Sequence, residues 1–202
     1  MTGEHSSSQY NHDLEAIRSQ VLLMGGLVEN HFQDAMSCYR TGNSEHAAAV
    51  VKSDEEVNRL EVMLDDMCSH LIVKRQPAAN DLRTVMATGK VITDLERIGD
   101  ESTKIARIAQ EMMHKNRSNA MFSGYETVRV LANSVGQMLH QSLDAFARHD
   151  DAKAVQLIAF DEIIDSDFRS IMRNLITFMM EDPGTISFAL DALWVAKAIE
   201  RI

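Results

Sequence analysis

The sequence predicts an all-α protein of two tandem antiparallel three-helix bundles, and three observations predict it. Good helix formers (Ala, Leu, Met, Glu, Arg) abound, whereas aromatic residues make up only 5% and prolines number two, which disfavours a many-stranded sheet. Turn-forming punctuation is sparse, so several uninterrupted segments run to about 30 residues, roughly 45 Å of helix at 1.5 Å per residue. A low-identity internal repeat then relates the two halves of the chain.

Breaks are expected at Thr41-Gly42-Asn43, Gln76-Pro77-Ala78, Asn116 to Gly124, His149-Asp150-Asp151 and Asp182-Pro183-Gly184. They leave helical segments at 11–41, 44–74, 79–115, 125–148, 151–181 and 185–202. Long helices with short connections pack as antiparallel bundles. The opening residues are polar, have no apolar run, and read as a disordered leader over 1–10 rather than a signal peptide. In the first segment Gly25-Gly26 lies inside an apolar run and reads as a point of close helix packing, not a phosphate loop. In the second, Val57, Leu60, Leu64, Met67 and Leu71 alternate steps of three and four, the seam of a helix that faces two neighbours. Ile164, Phe168, Ile171, Leu175 and Phe178 repeat that rhythm in the fifth. The 13 methionines fall mostly at such apolar positions and read as core packing. Cys38 and Cys68 stand alone without a CxxC pair, which points to core filler in a reducing cytosol.

Displacing the chain by 107 residues lays Asp54-Glu55 over Asp161-Glu162, Leu64 over Ile171 and Leu71 over Phe178. After a shorter loop in the second half, Glu96-Arg97-Ile98 lies over Glu200-Arg201-Ile202. The matches fall on the same helical faces, so residues 11–118 form one expected bundle and 119–202 a second, whose sixth helix is cut short.

A net charge of −10 argues against a nucleic-acid partner, because phosphate binding concentrates Lys and Arg. No run approaches the roughly 20 apolar residues of a membrane span, so membrane association is expected only through a partner. Di-iron bundle enzymes use two Glu-x-x-His motifs, whereas this chain offers one, Glu111 to His114. The other histidines show no ligand spacing and are expected at the surface. No Walker loop, dinucleotide fingerprint or nucleophile elbow is present, so no active site assembles.

Acidic residues carry the remaining signal. In DLERIGD, Asp94 to Asp100, Glu96 and Asp100 stand four apart on one face, away from Leu95, Ile98, Ile105 and Ala109. On the preceding helix Asp54, Asn58, Glu61 and Asp65 step by four, three and four, roughly 120° from the Val57–Leu71 seam. Two lines of oxygen ligands can therefore meet across adjacent helices and hold a cation. The plainer reading is a solvated, salt-bridged face, with Lys104 four beyond Asp100 and Arg97 four before Glu101.

Several strings in order resemble the PhoU family: LEAIRSQVLLMGGLVE (Leu14–Glu29), RQPAANDLR (Arg75–Arg83), DLERIGD, MLHQSLDAFARHD (Met138–Asp150), FMMEDPGTI (Phe178–Ile186) and AIERI (Ala198–Ile202). The resemblance runs from about residue 10 to Ile202 and implies the same double bundle. It also implies a cytoplasmic negative regulator of phosphate uptake and of the phosphate-starvation regulon. Such a regulator contacts the ATP-binding subunit of the Pst phosphate ABC transporter and the PhoR sensor histidine kinase; it is peripheral to the membrane through them, and a homodimer. No cofactor is required by this reading, although some members bind iron or zinc through paired E(D)xxxD motifs. Carried onto this chain, the first set is Asp54, Glu61, Glu96 and Asp100, and the second Asp161, Asp165 and Glu200. Asn58 replaces an acid in the first set, and the second lacks a partner for Glu200. Alternatives from other classes are a metal-dependent carboxylate-bridged bundle enzyme and a metal or phosphate store.

Overall fold

The computed structural model describes residues 3–114 and 118–202, and every regular element among them is helical. The order is α1 (Gly3–Thr41), α2 (Ser44–Arg75), α3 (Ala79–His114), α4 (Ser118–Arg148), α5 (Asp151–Glu181), a 3₁₀ turn (Pro183–Thr185) and α6 (Ile186–Glu200). Helices α1, α2 and α3 pack on one another, as do α4, α5 and α6, which gives the expected double bundle. Contacts of α1 with α4 and of α3 with α6 join the two.

The helix ends follow local chemistry. The Asn43 side chain accepts from the His46 N–H at 2.9 Å and opens α2. Gln76, left-handed at φ 47°, closes that helix ahead of Pro77. The Asp150 carboxylate accepts from the Lys153 N–H at 2.9 Å at the start of α5. Asp182 does the same for Gly184 at 2.8 Å, at the turn into α6.

Two boundaries differ from the sequence expectation. Where a disordered leader was expected over 1–10, α1 already runs from Gly3. Its start is tied down across the bundle: Tyr10 is buried and its hydroxyl donates to the Asp81 carbonyl at 3.0 Å. Arg75 adds a bond to Asp13 at 2.9 Å and another to Gln9 Oε1 at 2.9 Å. Helix α4 begins at Ser118, seven residues before the expected 125, and runs through Gly124, since a single glycine weakens a helix without ending it. Asn116, placed in that junction, lies outside the described residues.

The core has two main parts. One is confined to the first bundle and contains Ile17, Val21, Met24, Val28, Val57, Leu60, Leu64, Leu71, Ile92 and Leu95, joined by Leu139 of α4. The other draws from all six helices, including Phe32 and Tyr39 of α1, Val50 of α2, Ile105 and Met112 of α3, Val128 and Leu131 of α4, Ile164 of α5, and Val195 and Ile199 of α6. Sequence repetition had suggested two separate bundles, yet burial runs continuously between them. The expected seam of α2 is buried as read, with Met67 half-buried. In α5 Ile164 and Leu175 are buried, but Phe178 is 52% exposed, because it is Met179 of that last turn that packs on the cluster of Leu175 with Ala189 and Ala192 of α6. Both cysteines are buried. Among the methionines, Met24 and Met112 are core residues while Met86 and Met180 face solvent.

Glycines set two close approaches. A Cβ on Gly25 would stand 2.5 Å from Leu143 Cδ2, so this glycine brings α1 onto α4, while its neighbour Gly26 faces open space. Gly99, inside DLERIGD, lies against α2: a Cβ there would be 3.1 Å from Val57 Cγ1 and 3.2 Å from Asp54 Oδ1. Val57 is fully buried and cannot retreat. Gly99→Val should therefore destabilise the protein by about 1–3 kcal/mol through overpacking, measured by urea unfolding, with α2–α3 separation as the cause. Equal stability of this variant would mean that the helices can part freely.

Candidate acidic site on the first bundle

The packing of α3 on α2 through Gly99 and Val57 decides where the acids of the two helices stand. Asp54 is the one that sequence periodicity misplaced. It was expected on a solvated line, but it is buried, 8% exposed, at the edge of the interface. The donor beside its carboxyl is the buried hydroxyl of Thr103, which lowers the Asp54 pKa without offsetting burial and is not aligned as a regular hydrogen bond. Glu61 and Glu96 are half-buried, and Asp100 and Asn58 are exposed.

These side chains influence one another electrostatically. Burial pushes the Asp54 carboxyl above its ordinary range; His31 opposes the shift, and the Asp100 charge adds to it. Burial also raises Glu61, helped by the charges of Asp65 and Asp100. Glu96 is raised by burial first, then by Asp100, Glu61 and Asp54, with Lys104 pulling the other way. The offsetting cations do not sit where the i, i+4 rule put them. Arg97 turns back to Asp94 at 3.3 Å, and Lys104 pairs with Glu101 at 3.0 Å rather than with Asp100. Among the described residues, Asp54, Glu61, Glu96 and Asp100 make no ion pair.

The second set is built differently. Asp165 faces Arg169 at 3.8 Å, Glu200 is paired with Lys197, and Lys197 also lies 5.2 Å from the Phe168 ring centre. Asp161 is exposed on α5, at a cleft against the end of α4. These acids are thus not gathered as the first four are.

Four residues that organise the site carried no usable sequence signal as ligands. Gly99 sets the helix approach. Glu101, 3% exposed, accepts from Lys104 and from Arg201 of the segment after α6, each at 3.0 Å, and so ties the first bundle to the second. The i, i+3 spacing to Lys104 was legible, but Arg201 comes from a hundred residues away. His31, expected at the surface, is buried; its Nε2–H donates to the Val50 carbonyl at 2.6 Å, leaving Nδ1 unpartnered. Thr103 shares the buried space beside Asp54. Of the single Glu-x-x-His motif, the His114 side chain lies outside the described residues.

The donor set fits a cation chemically, since an orphaned buried carboxylate oxygen and three further unpaired carboxylates offer oxygen ligands. Among the described residues no three His, Cys, Asp or Glu side chains already converge at coordinating geometry. Binding therefore requires the side chains of Glu61, Glu96 and Asp100 to turn inward toward Asp54.

Two tandem bundles of long antiparallel helices define a helical-bundle protein built on an internal repeat. The PhoU domain family model matches residues 21–109 and again 128–202, one match for each bundle. The chain belongs to the PhoU family. It is 43% identical to the phosphate-specific transport system accessory protein PhoU of Escherichia coli (strain K12), over 98% of this chain and 81% of that protein. It is 41% identical to the PhoU homolog of Pseudomonas putida, over 98% of this chain and 76% of the relative. The crystal structure of PhoU from Pseudomonas aeruginosa superposes with TM-score 0.89 at 38% identity, covering 95% of this chain and 90% of that one. The phosphate transport system regulatory protein PhoU from Streptococcus pneumoniae shares the fold, with TM-score 0.84.

Raised carboxyl pKa values have a defined consequence for stability. The folded state holds protons on Asp54, Glu61 and Glu96 that the unfolded chain has already released. Stability should therefore fall as pH rises from the ordinary carboxylate range, about 4, through the raised folded values. The metal-free protein should melt higher at pH 5 than at pH 7.5 in calorimetry. Asp54→Asn should flatten that slope and raise the melting temperature at pH 7.5, on the order of 2–4 °C per kcal/mol recovered for a chain of this size. A melting temperature that climbs with pH between 5 and 7.5 would contradict the assignment.

Proposed function

We propose that this chain is a non-catalytic, cytoplasmic negative regulator of phosphate uptake and of the phosphate-starvation regulon. It acts by docking onto the ATP-binding subunit of a phosphate ABC transporter and onto the regulon's sensor histidine kinase. The observation that carries this reading is the match of both bundles to the PhoU domain, with near-full-length similarity to phosphate-specific transport system accessory proteins. No helix among the described residues is long and apolar enough to cross a membrane, which fits access to the transporter through protein contacts.

Deleting the gene should leave phosphate uptake and starvation genes active in phosphate-rich medium, with repression restored by a plasmid copy. Reporter expression that stays repressed in the deletion strain refutes the regulatory reading.

Within this role the four acids of the first bundle are proposed as a cation site for iron or zinc. Asp54 is the buried anchor, and Glu61, Glu96 and Asp100 close over the ion from the solvent side. The ion supplies the positive charge that these carboxylates lack, and it would cross-link α2 to α3. Asn58 contributes a neutral amide where an acid would bind more strongly. Adding Fe or Zn should raise the melting temperature, by about 2.7 kcal/mol in free energy at a hundredfold excess over Kd. Asp100→Ala should abolish the gain without harming the apo fold, because Asp100 is exposed. Asn58→Asp should enlarge it. Equal shifts in wild type and Asp100→Ala would leave the acids as a bare solvated face.

A further inference from the structure

We infer that the groove between α1 and α4 is a binding site for an extended peptide segment of a partner protein, with an acidic residue toward Arg40 and a basic one toward Glu29. The cleft has a volume of about 550 Å³ and lies where the two bundles meet, away from the acidic site. Its floor is apolar: the Phe32 ring is buried, and Gly136 of α4 lies directly over it, a Cβ there falling 3.5 Å from Phe32 Cε1. Contacts of Gly25 with Leu143 and of Gly136 with Phe32 fix α1 and α4 as antiparallel neighbours.

The walls are amides. Asn133, Gln137 and Gln141 follow one another at intervals of four along α4, and Gln33 faces them from α1. None of the four side chains is engaged in a hydrogen bond among the described residues. Each amide offers two donors and an acceptor. Steps of four residues along a helix repeat at about 6 Å, close to the roughly 6.6 Å between alternate residues of an extended chain. A row of amides in that register can satisfy successive N–H and C=O groups on one edge of an extended peptide, which otherwise need partners. A helical ligand satisfies its own backbone and has no use for the row, so the extended form is favoured.

The two ends differ in charge. Arg40 is exposed, makes no ion pair among the described residues, and closes the end next to Gly42. Glu29, contacted by His140 Nδ1 at 2.9 Å, marks the other. Eleven residues of α1 separate them, about 16 Å, which an extended peptide spans in about five residues. Charge complementarity thus orients the peptide along the groove.

The test is an immobilised nonapeptide array probed with the full chain, followed by fluorescence anisotropy on the strongest binders. Retained peptides should carry an acid and a base about five positions apart in one fixed order. Asn133→Ala combined with Gln137→Ala should weaken them at least tenfold, with an unchanged melting temperature since both residues are exposed. Should that pair unfold, Gln33→Ala with Gln141→Ala serves instead. Arg40→Glu should invert the acid preference toward Lys at that position. No retained peptide, equal retention by the amide variants, or tighter binding by helix-stapled versions would each overturn the proposal.

Discussion

Helix α1 has to bury two sides at once, and the rest of the molecule depends on how it does so. One side gives Ile17, Val21, Met24 and Val28 to the seam with α2 and α3. The other comes onto α4 at Gly25, where only a hydrogen leaves room for Leu143, and at Phe32, which sits under Gly136. Further along, Ala35, Cys38 and Tyr39 are wholly enclosed in the part of the core that all six helices share. A helix embedded on two sides cannot slide without disturbing both bundles, because close-packed interiors adjust in discrete steps. The repeat is therefore a pair in sequence and nearly a single body in packing.

That rigidity is what leaves the acidic face under strain. Gly99 draws α3 onto α2 and pins Asp54 against the interface, with only the Thr103 hydroxyl near its carboxyl as a donor. Burying a charged oxygen without a partner costs about 1–3 kcal/mol or more, and Glu61, Glu96 and Asp100 add like charge around it. Arg97 and Lys104 are paired with Asp94 and Glu101, and the pull of Arg107 and His31 on Asp54 and of Lys104 on Glu96 does not outweigh burial. A protein that only needed a soluble surface would gain by neutralising this patch. Its unfavourable electrostatics make sense if positive charge from outside completes it.

The two halves contrast at matching positions. Second-half acids Asp165 and Glu200 are each ion-paired with a basic residue on their own helix, while the first four make no ion pair among the described residues. Between the halves, Glu101 is buried and receives both Lys104 and Arg201. A buried carboxylate left without its cations would be expensive, so this pairing holds the end of α6 to the middle of α3. Ile202 beside it packs against both parts of the core. The acidic face of α3 is thus mechanically adjacent to the second bundle, through Glu101, the residue next to Asp100.

Helix count, the α2 seam, the buried cysteines and the double-bundle plan were legible in the sequence, because each depends on periodicity and turn residues within one segment. So was the placement of Glu96 and Asp100 on one face of α3, since i, i+4 geometry is local. What periodicity could not supply is which face a neighbour covers. Asp54 and His31 look like surface residues until α3 closes over the first and α2 over the second, and Phe178 looks like core although Met179 takes the place against α6. The opening of α1 likewise gained its order from Asp81 and Arg75, seventy or so residues on. Sequence fixed the residues that each helix presents, through spacings of a few residues. Only tertiary packing decided which polar groups lost their water, because desolvation depends on atoms that arrive from distant parts of the chain.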